Sequence, residues 1–257
     1  MPAVTKVFNR QISNSTQLAQ ALKLAMGYAG YSEPVETTSG STIYLHFPVE
    51  VPVDNYTVHL QVGITSSLGL NQVLLKDWSP DVSNAVKSRS SDTEDYDPGL
   101  IVFNCCNHSE LRVVDVYQKG AENFLLGAIR PLHKESYWNE SLFPFVFTAA
   151  SSTTNPYFYG FDDSWSPHDN YSYAIDTFPQ LRYRNRITQK YNIVTGVFFL
   201  TNSGEGVCGT FSEEVGRGAT DGATPGDLNL ETVDKIYLIL TTGVSGIVIE
   251  TYWPEEV

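Results

Sequence analysis

Short segments that alternate β-branched or aromatic residues with polar ones recur along most of this chain, separated by Gly, Pro, Asn, Asp and Ser. They are 41–47, 56–62, 100–103, 111–117, 123–129, 143–147, 193–200, 235–240 and 246–251. This period leaves few folds open. Strands and helices do not alternate, so a doubly wound α/β fold is excluded. The only clear helical period is Leu18, Ala21, Leu22, Ala25 and Ala29, which predicts a helix over about 15–28. Asn14 is its expected N-cap, with Gln17 as capping-box partner, and Gly27 and Gly30 weaken and stop it. A weaker helical period runs over 81–89. The expected fold is mainly β: an antiparallel sandwich or barrel-like domain with one N-terminal helix. An arm and helix over 1–33 and a β-rich domain over 34–257 are expected to form one compact unit.

Composition narrows the function classes. The 257 residues carry 16 Lys and Arg against 29 Asp and Glu, a formal charge of −13, which argues against a protein that grips nucleic acid through phosphates. Apolar residues make up 42%, enough for a core without staples, yet no apolar run is long enough to span a bilayer. The start, Met1-Pro2-Ala3-Val4-Thr5-Lys6, lacks the basic-then-apolar pattern of a secretory signal. Synthesis and retention in a cytosol are therefore expected. Cys105, Cys106 and Cys208 are odd in number and two are adjacent, which suits buried thiols rather than a disulfide framework or a metal site.

The candidate chemistries are weak. Gly204-Glu205-Gly206-Val207-Cys208-Gly209 matches a dinucleotide fingerprint. Thr210 through Gly218, however, cannot sustain the helix that fingerprint needs, so a glycine-rich loop over 203–227 is expected. The acidic run 88–99, with Asp92, Glu94, Asp95 and Asp97, misses the ligand spacing of a calcium loop. His46 and His59 fall in expected strands with no nucleophile motif nearby and read as ordinary hydrogen-bonded strand histidines. No cofactor, metal or catalytic residue is expected. Arg182, Arg184 and Arg186 alternate with Leu181, Tyr183, Asn185 and Ile187, which places three cations on one strand face. In so acidic a protein that row suits the Ser90–Asp97 surface of a second copy, with nucleic-acid phosphate and a plain solvated face as the other readings. Aromatics concentrate over 143–173, where Tyr157, Tyr159 and Trp165 suit a platform or interface. Beside the carboxylates Asp162, Asp163 and Asp169 they would also suit a sugar, which makes a carbohydrate-binding or carbohydrate-cleaving adsorption protein (of a tail fibre or baseplate) the alternative reading.

The run Asn123-Phe124-Leu125-Leu126-Gly127-Ala128-Ile129-Arg130-Pro131, then Ser136-Tyr137-Trp138, then Leu142 through Ser151 resembles a pattern in virion structural proteins of tailed bacteriophages. The resemblance implies a β-rich, non-enzymatic subunit of a ring in the neck or tail. Its partners would be further copies of itself and other virion proteins, with no membrane and no sequence-specific nucleic acid, and it would reside in the virion after synthesis in the host cytoplasm.

Overall fold

The computed structural model describes residues 1–49, 58–81, 86–87, 93–120, 123–129, 133–134, 145–148, 157–159, 173–176, 193–201, 207–218, 224, 226, 228–232, 235–240 and 246–252. The fold is mainly β, as expected: three open antiparallel sheets and a single helix among the described residues. The described strands form stacked layers and not a closed barrel.

The first layer is β2 (Val35–Ser39), β3 (Thr42–Val49), β4 (Val58–Ile64), β5 (Gly69–Lys76) and β6 (Val86–Lys87) in sequential order, with β7 (Glu94–Asp95) also paired to β5. The central layer begins with β1 (Val4–Ile12), β8 (Gly99–Asn107), β9 (Leu111–Tyr117) and β10 (Phe124–Ile129). It continues through β12 (Phe145–Thr148), β13 (Tyr157–Tyr159), β14 (Tyr173–Asp176), β16 (Phe198–Thr201), β17 (Val207–Thr210) and β11 (His133–Lys134). The third layer is ordered β15 (Ile193–Thr195), β18 (Val215–Gly218), β21 (Gly246–Thr251), β20 (Lys235–Ile239) and β19 (Leu228–Thr232).

Helix α1 (Ser15–Tyr28) has the expected bounds. The Asn14 side chain accepts from Gln17 N at 3.0 Å, and Gln17 Oε1 accepts from Ser13 N at 2.8 Å, so the reciprocal cap closes one residue earlier than the motif implies. Leu18, Leu22, Ala25 and Met26 are fully buried where α1 fits between the central and first sheets. There they meet Leu45, Phe47, Leu60 and Val62 from one side and Phe8, Ile101, Phe103 and Cys105 from the other. Each such large apolar side chain contributes about 1.5–3 kcal/mol on full burial. The opposite face of the central sheet, with Cys106, Leu111, Val113 and Leu125, packs on Val215, Leu238, Leu240, Ile247 and Ile249 of the third layer. Both adjacent thiols are thus buried, one on each face. The Cys208 side chain lies outside the described residues.

Several segments differ from the expectations, and Val35–Ser39 and Gly69–Lys76 are strands that the alternation did not mark. Val4–Ile12 is a strand at the edge of the central sheet rather than an arm. The run 193–200 is two strands in two different sheets, because Gly196 adopts φ 72° and turns the chain between layers. The glycine-rich stretch contains β17 and β18, so Gly209 lies in a strand and no helix opens there to receive a pyrophosphate. Within 81–89, Val86–Lys87 pairs with β5 instead of forming a helix, and 82–85 and 88–89 lie outside the described residues.

Two side chains lock α1 and the first sheet to the central one. The buried Tyr31 hydroxyl donates to Arg112 O at 2.9 Å and accepts from Ala128 N at 2.8 Å, bridging β9 and β10. Gln72, fully buried on β5, donates from Nε2 to Leu125 O at 2.6 Å. Tyr31→Phe removes one partner from two buried backbone groups and is expected to lower stability by about 1–3 kcal/mol, read as a shifted urea midpoint at unchanged slope.

Candidate functional site at the uncovered end of the central sheet

The described strands of the third layer do not cover the whole central sheet. Along one face of β8 and β9 the cross-strand pairs run Cys106–Val113, Asn104–Asp115, Val102–Tyr117. The first pair is sealed in the core. The second is fully buried, with Gly226 pressed so closely on the Asn104 amide that an added Cβ would meet it at 2.3 Å. The third pair lines an open groove of about 1120 Å³ together with Leu100, which is 53% exposed. Glu94, Asp95 and Asp97 rim this groove, with Lys119 beside them. Gln118 fixes one wall: its Nε2 donates to Asp97 O at 2.8 Å and its Oε1 accepts from Asp97 N at 2.9 Å.

Beside the groove runs β1, where Asn9 pairs with Val102 and Gln11 with Leu100, although no β1 residue lines the groove itself. The hydrogen-bond phase of β1 is set by its neighbours. His108 and Leu111 exchange both backbone bonds, at 3.1 and 3.2 Å. Alternation then turns the backbone groups of Asn107, Cys105, Phe103, Ile101 and Gly99 towards β1, where they meet Val4, Lys6, Phe8, Arg10 and Ile12. Ala3, Thr5, Val7, Asn9 and Gln11 must point theirs the other way. Ala3 obeys this rule, since its N–H donates to Glu250 O at 2.8 Å beside the parallel bridge to Thr251. The Thr5 and Thr251 hydroxyls are 2.7 Å apart. Beyond it, no strand among the described residues pairs with the outer edge of β1.

Behind the groove lies a buried polar pair. Asn104 Nδ2 donates to Asp115 Oδ2 at 2.7 Å, while Asp115 Oδ1 and Asn104 Oδ1 have no hydrogen-bond partner. The Asn123 amide approaches the same carboxyl without a well-formed bond of its own. Desolvation raises the Asp115 pKa to about 8, against the weaker lowering by the two amides. At neutral pH the group is therefore mainly the protonated acid.

His46 and His59 lie in strands, and His46 is hydrogen-bonded, as expected; what the sequence did not show is that both pack on Trp78 and that Nδ1 of each is buried without a partner. His46 stacks on Trp78 at 3.7 Å and 8°, and His59 meets the same indole edge-on at 5.1 Å. His46 Nε2 is 3.0 Å from Thr37 Oγ1, but Nδ1 of both rings is buried without a partner. Desolvation, then the charge of His59, lowers the His46 pKa to about 4, and desolvation lowers that of His59. The His46 ring is neutral in the fold at pH 7, whereas unfolded histidine protonates near 6.5. Its contribution is present above pH 6.5 and is lost as pH falls through about 4, and the lowered His59 pKa acts in the same direction. His46→Phe keeps the stack but cannot titrate, and is expected to flatten this acid limb by about 1–2 kcal/mol, discounted for solvent screening, in melts across pH 7 to 4.

Of the residues singled out in the sequence, Glu94 and Asp95 lie on β7 and rim the groove. Tyr157 and Tyr159 lie in β13, paired with Thr148 and Val146 of β12. Asp92, Asp162, Asp163, Trp165, Asp169, Arg182, Arg184 and Arg186 lie outside the described residues. Sequence patterns missed the floor: Leu100, Val102 and Tyr117 read as core strand residues, and the only available signal was the polar step Asn104–Asp115 within otherwise apolar runs. Comparison with protein-family models, curated proteins and solved structures finds no match to this chain.

Proposed function

We propose that this chain is a non-enzymatic structural subunit of a tailed-phage virion, placed in the neck or tail and assembling as a homo-oligomeric ring. The observation that carries the reading is the exposed end of the central sheet: an exposed apolar residue, Leu100, lies in an open acidic-rimmed groove, and next to β8 stands β1, whose outer edge no described strand pairs beyond its start. Edges of this kind are normally blunted or covered, because they template pairing with other chains. The acidic rim, Glu94 and Asp95 with Asp97, supplies one half of the charge complement, and the alternating Arg182, Arg184 and Arg186 supply the other on a neighbouring copy. The resemblance over Asn123–Ser151 to phage virion proteins supports the same reading.

A second reading draws on the same groove. Carboxylates beside an aromatic ring, here Glu94, Asp95 and Tyr117, suit a sugar, and a carbohydrate-binding adsorption protein would use them so. Negative-stain images of the purified chain, with an oligosaccharide titration, separate the two. Closed rings and no saturable sugar binding are expected. Dispersed single particles that bind a sugar saturably would favour the adsorption protein.

A further inference from the structure

We propose that Trp78 is an acid-operated latch on the outer face of the first sheet, closed over His46 and His59 while both rings are neutral and released when they take up protons. The inference stands apart from the ring reading and uses only the described residues of one chain.

Alternation divides β3 and β4 into two sides. Leu45, Phe47, Leu60 and Val62 pack into the core around α1. Tyr44, His46, His59 and Gln61 therefore face away from it, and the indole of Trp78 reaches them from the loop after β5. That loop is bent to do so: Asp77 has φ 55°, a left-handed value that Asp tolerates better than most residues. The indole lies flat on His46, which is only 1% exposed, and meets His59 at its edge, so one side chain holds both rings. Trp78 is not among the side chains packed around α1, so it can leave without disturbing them.

A missing acceptor makes this contact sensitive to acid. Nδ1 of each ring is buried with no partner, so a proton placed there finds neither acceptor nor water while the indole is seated. Attraction of an imidazolium to the indole face works against release. Burial outweighs it: desolvation, then the charge of His59, takes the His46 pKa down to about 4, and desolvation lowers that of His59. Among the described residues, strand pairing puts Val35 and Thr37 of β2, Tyr44, Gln61 and Leu75 on the same face, with Lys87 of β6 opposite Leu75. None of these is a carboxylate. Glu36 sits 2.7 Å from Lys23 of α1, and Asp77 is exposed in the turn. Release of the indole is therefore favoured as pH falls below 6.5, about 30-fold at pH 5 from His46 alone and about 300-fold at the limit below pH 4. In a chain of charge −13 the opened face carries two cations that exist only in acid.

Histidine-ring NMR titrations of the full chain from pH 8 to 4, in the wild type and in Trp78→Ala, test this directly. His46 should titrate near 4 with Trp78 in place and at about 6 or above without it, a gain in proton affinity of about 100-fold or more, and His59 should move the same way. Because linkage is reciprocal, that gain is the factor by which protonation loosens the indole. Amide exchange should find Leu45, Phe47, Leu60 and Val62 still protected at pH 5, which marks the opening as local. Trp78→Gln keeps more of the packed volume, supplies an acceptor in place of the ring face, and should raise the His46 value likewise, which serves if Trp78→Ala does not fold. A wild-type His46 that titrates near 6.5 overturns the latch whatever the variants do. A His46 that stays near 4 in either folded variant overturns it too, because the indole is then not what covers the ring. Loss of the four core amides' protection at pH 5 would show general unfolding and overturn it as well.

Discussion

Gly127→Ala is expected to be among the most damaging single substitutions in the central sheet. Gly127 has φ 126°, and a Cβ there would sit 2.2 Å from Arg112 O and 3.0 Å from Val113 Cα, both backbone atoms that cannot turn aside. The strand is held at this point by Tyr31 on Arg112 O and Ala128 N, and Gln72 Oε1 accepts from Gly127 N at 3.3 Å. Relief of the clash must pull β10 from β9 and disturb these bonds together, for a loss of about 3–5 kcal/mol. Gly120→Ala is the control. Its φ is 94°, but a Cβ there meets nothing within 4 Å, so only the backbone penalty of about 1 kcal/mol remains. Urea midpoints of the two variants measure the difference. Equal losses would mean that the Arg112 contact relaxes freely.

The second large effect is a stability that falls with rising pH, from Asp115. Its pKa in the fold is about 8, against an ordinary 3.8, with desolvation the main cause. Between these values the folded chain holds a proton that the unfolded chain has released. Stability from this group is therefore full below about pH 3.8 and is lost as pH rises through 8. The slope approaches about 1.4 kcal/mol per pH unit, so several kcal/mol are at stake across the window. Asp115→Asn mimics the protonated acid, keeps an amide for Asn104, and should abolish the dependence. Melting temperatures from pH 5 to 9 check it: the wild type should fall and the variant stay level once other groups are matched. A parallel fall in both would show that Asp115 is not the titrating group.

The position of Asp115 also shows how far local pattern reaches in this chain. Helix α1 was legible to the residue because its cap, its period and its stop all lie within 14–30. The long strands β3, β4 and β9 were legible because alternation and β-branched residues coincide, whereas only 100–103 of β8 was marked and β5 was not marked at all. Strand β1 was not, since Lys6 and Arg10 sit on the same face as Phe8 and Ile12 and dilute the apolar row. The burial of that face comes from α1 and the central sheet, which local pattern does not encode. The Gly-rich stretch hid β17 and β18 because those strands draw stability from neighbours far along the chain: β18 lies between β15 and β21. Glu94 and Asp95 were found as an acidic run. Their meeting with Leu100, Val102 and Tyr117 depends on where the third layer stops, and that is a property of the assembled sheets.

The salt bridge between the Met1 α-amino group and Glu214 at 2.6 Å, like the Ala3–Thr251 bridge, ties the start of β1 to the third layer. The amino group and Ser212 hold the Glu214 pKa down at about 2. The edge strand is thus anchored at one end, while no described strand pairs its other end.

Light scattering of the full chain over a wide concentration range decides whether copies of it join. A closed assembly of more than two 28.6 kDa subunits is expected, one that stops growing at a fixed number and loosens as salt rises. A particle of one subunit's mass at every concentration, indifferent to salt, would contradict the ring.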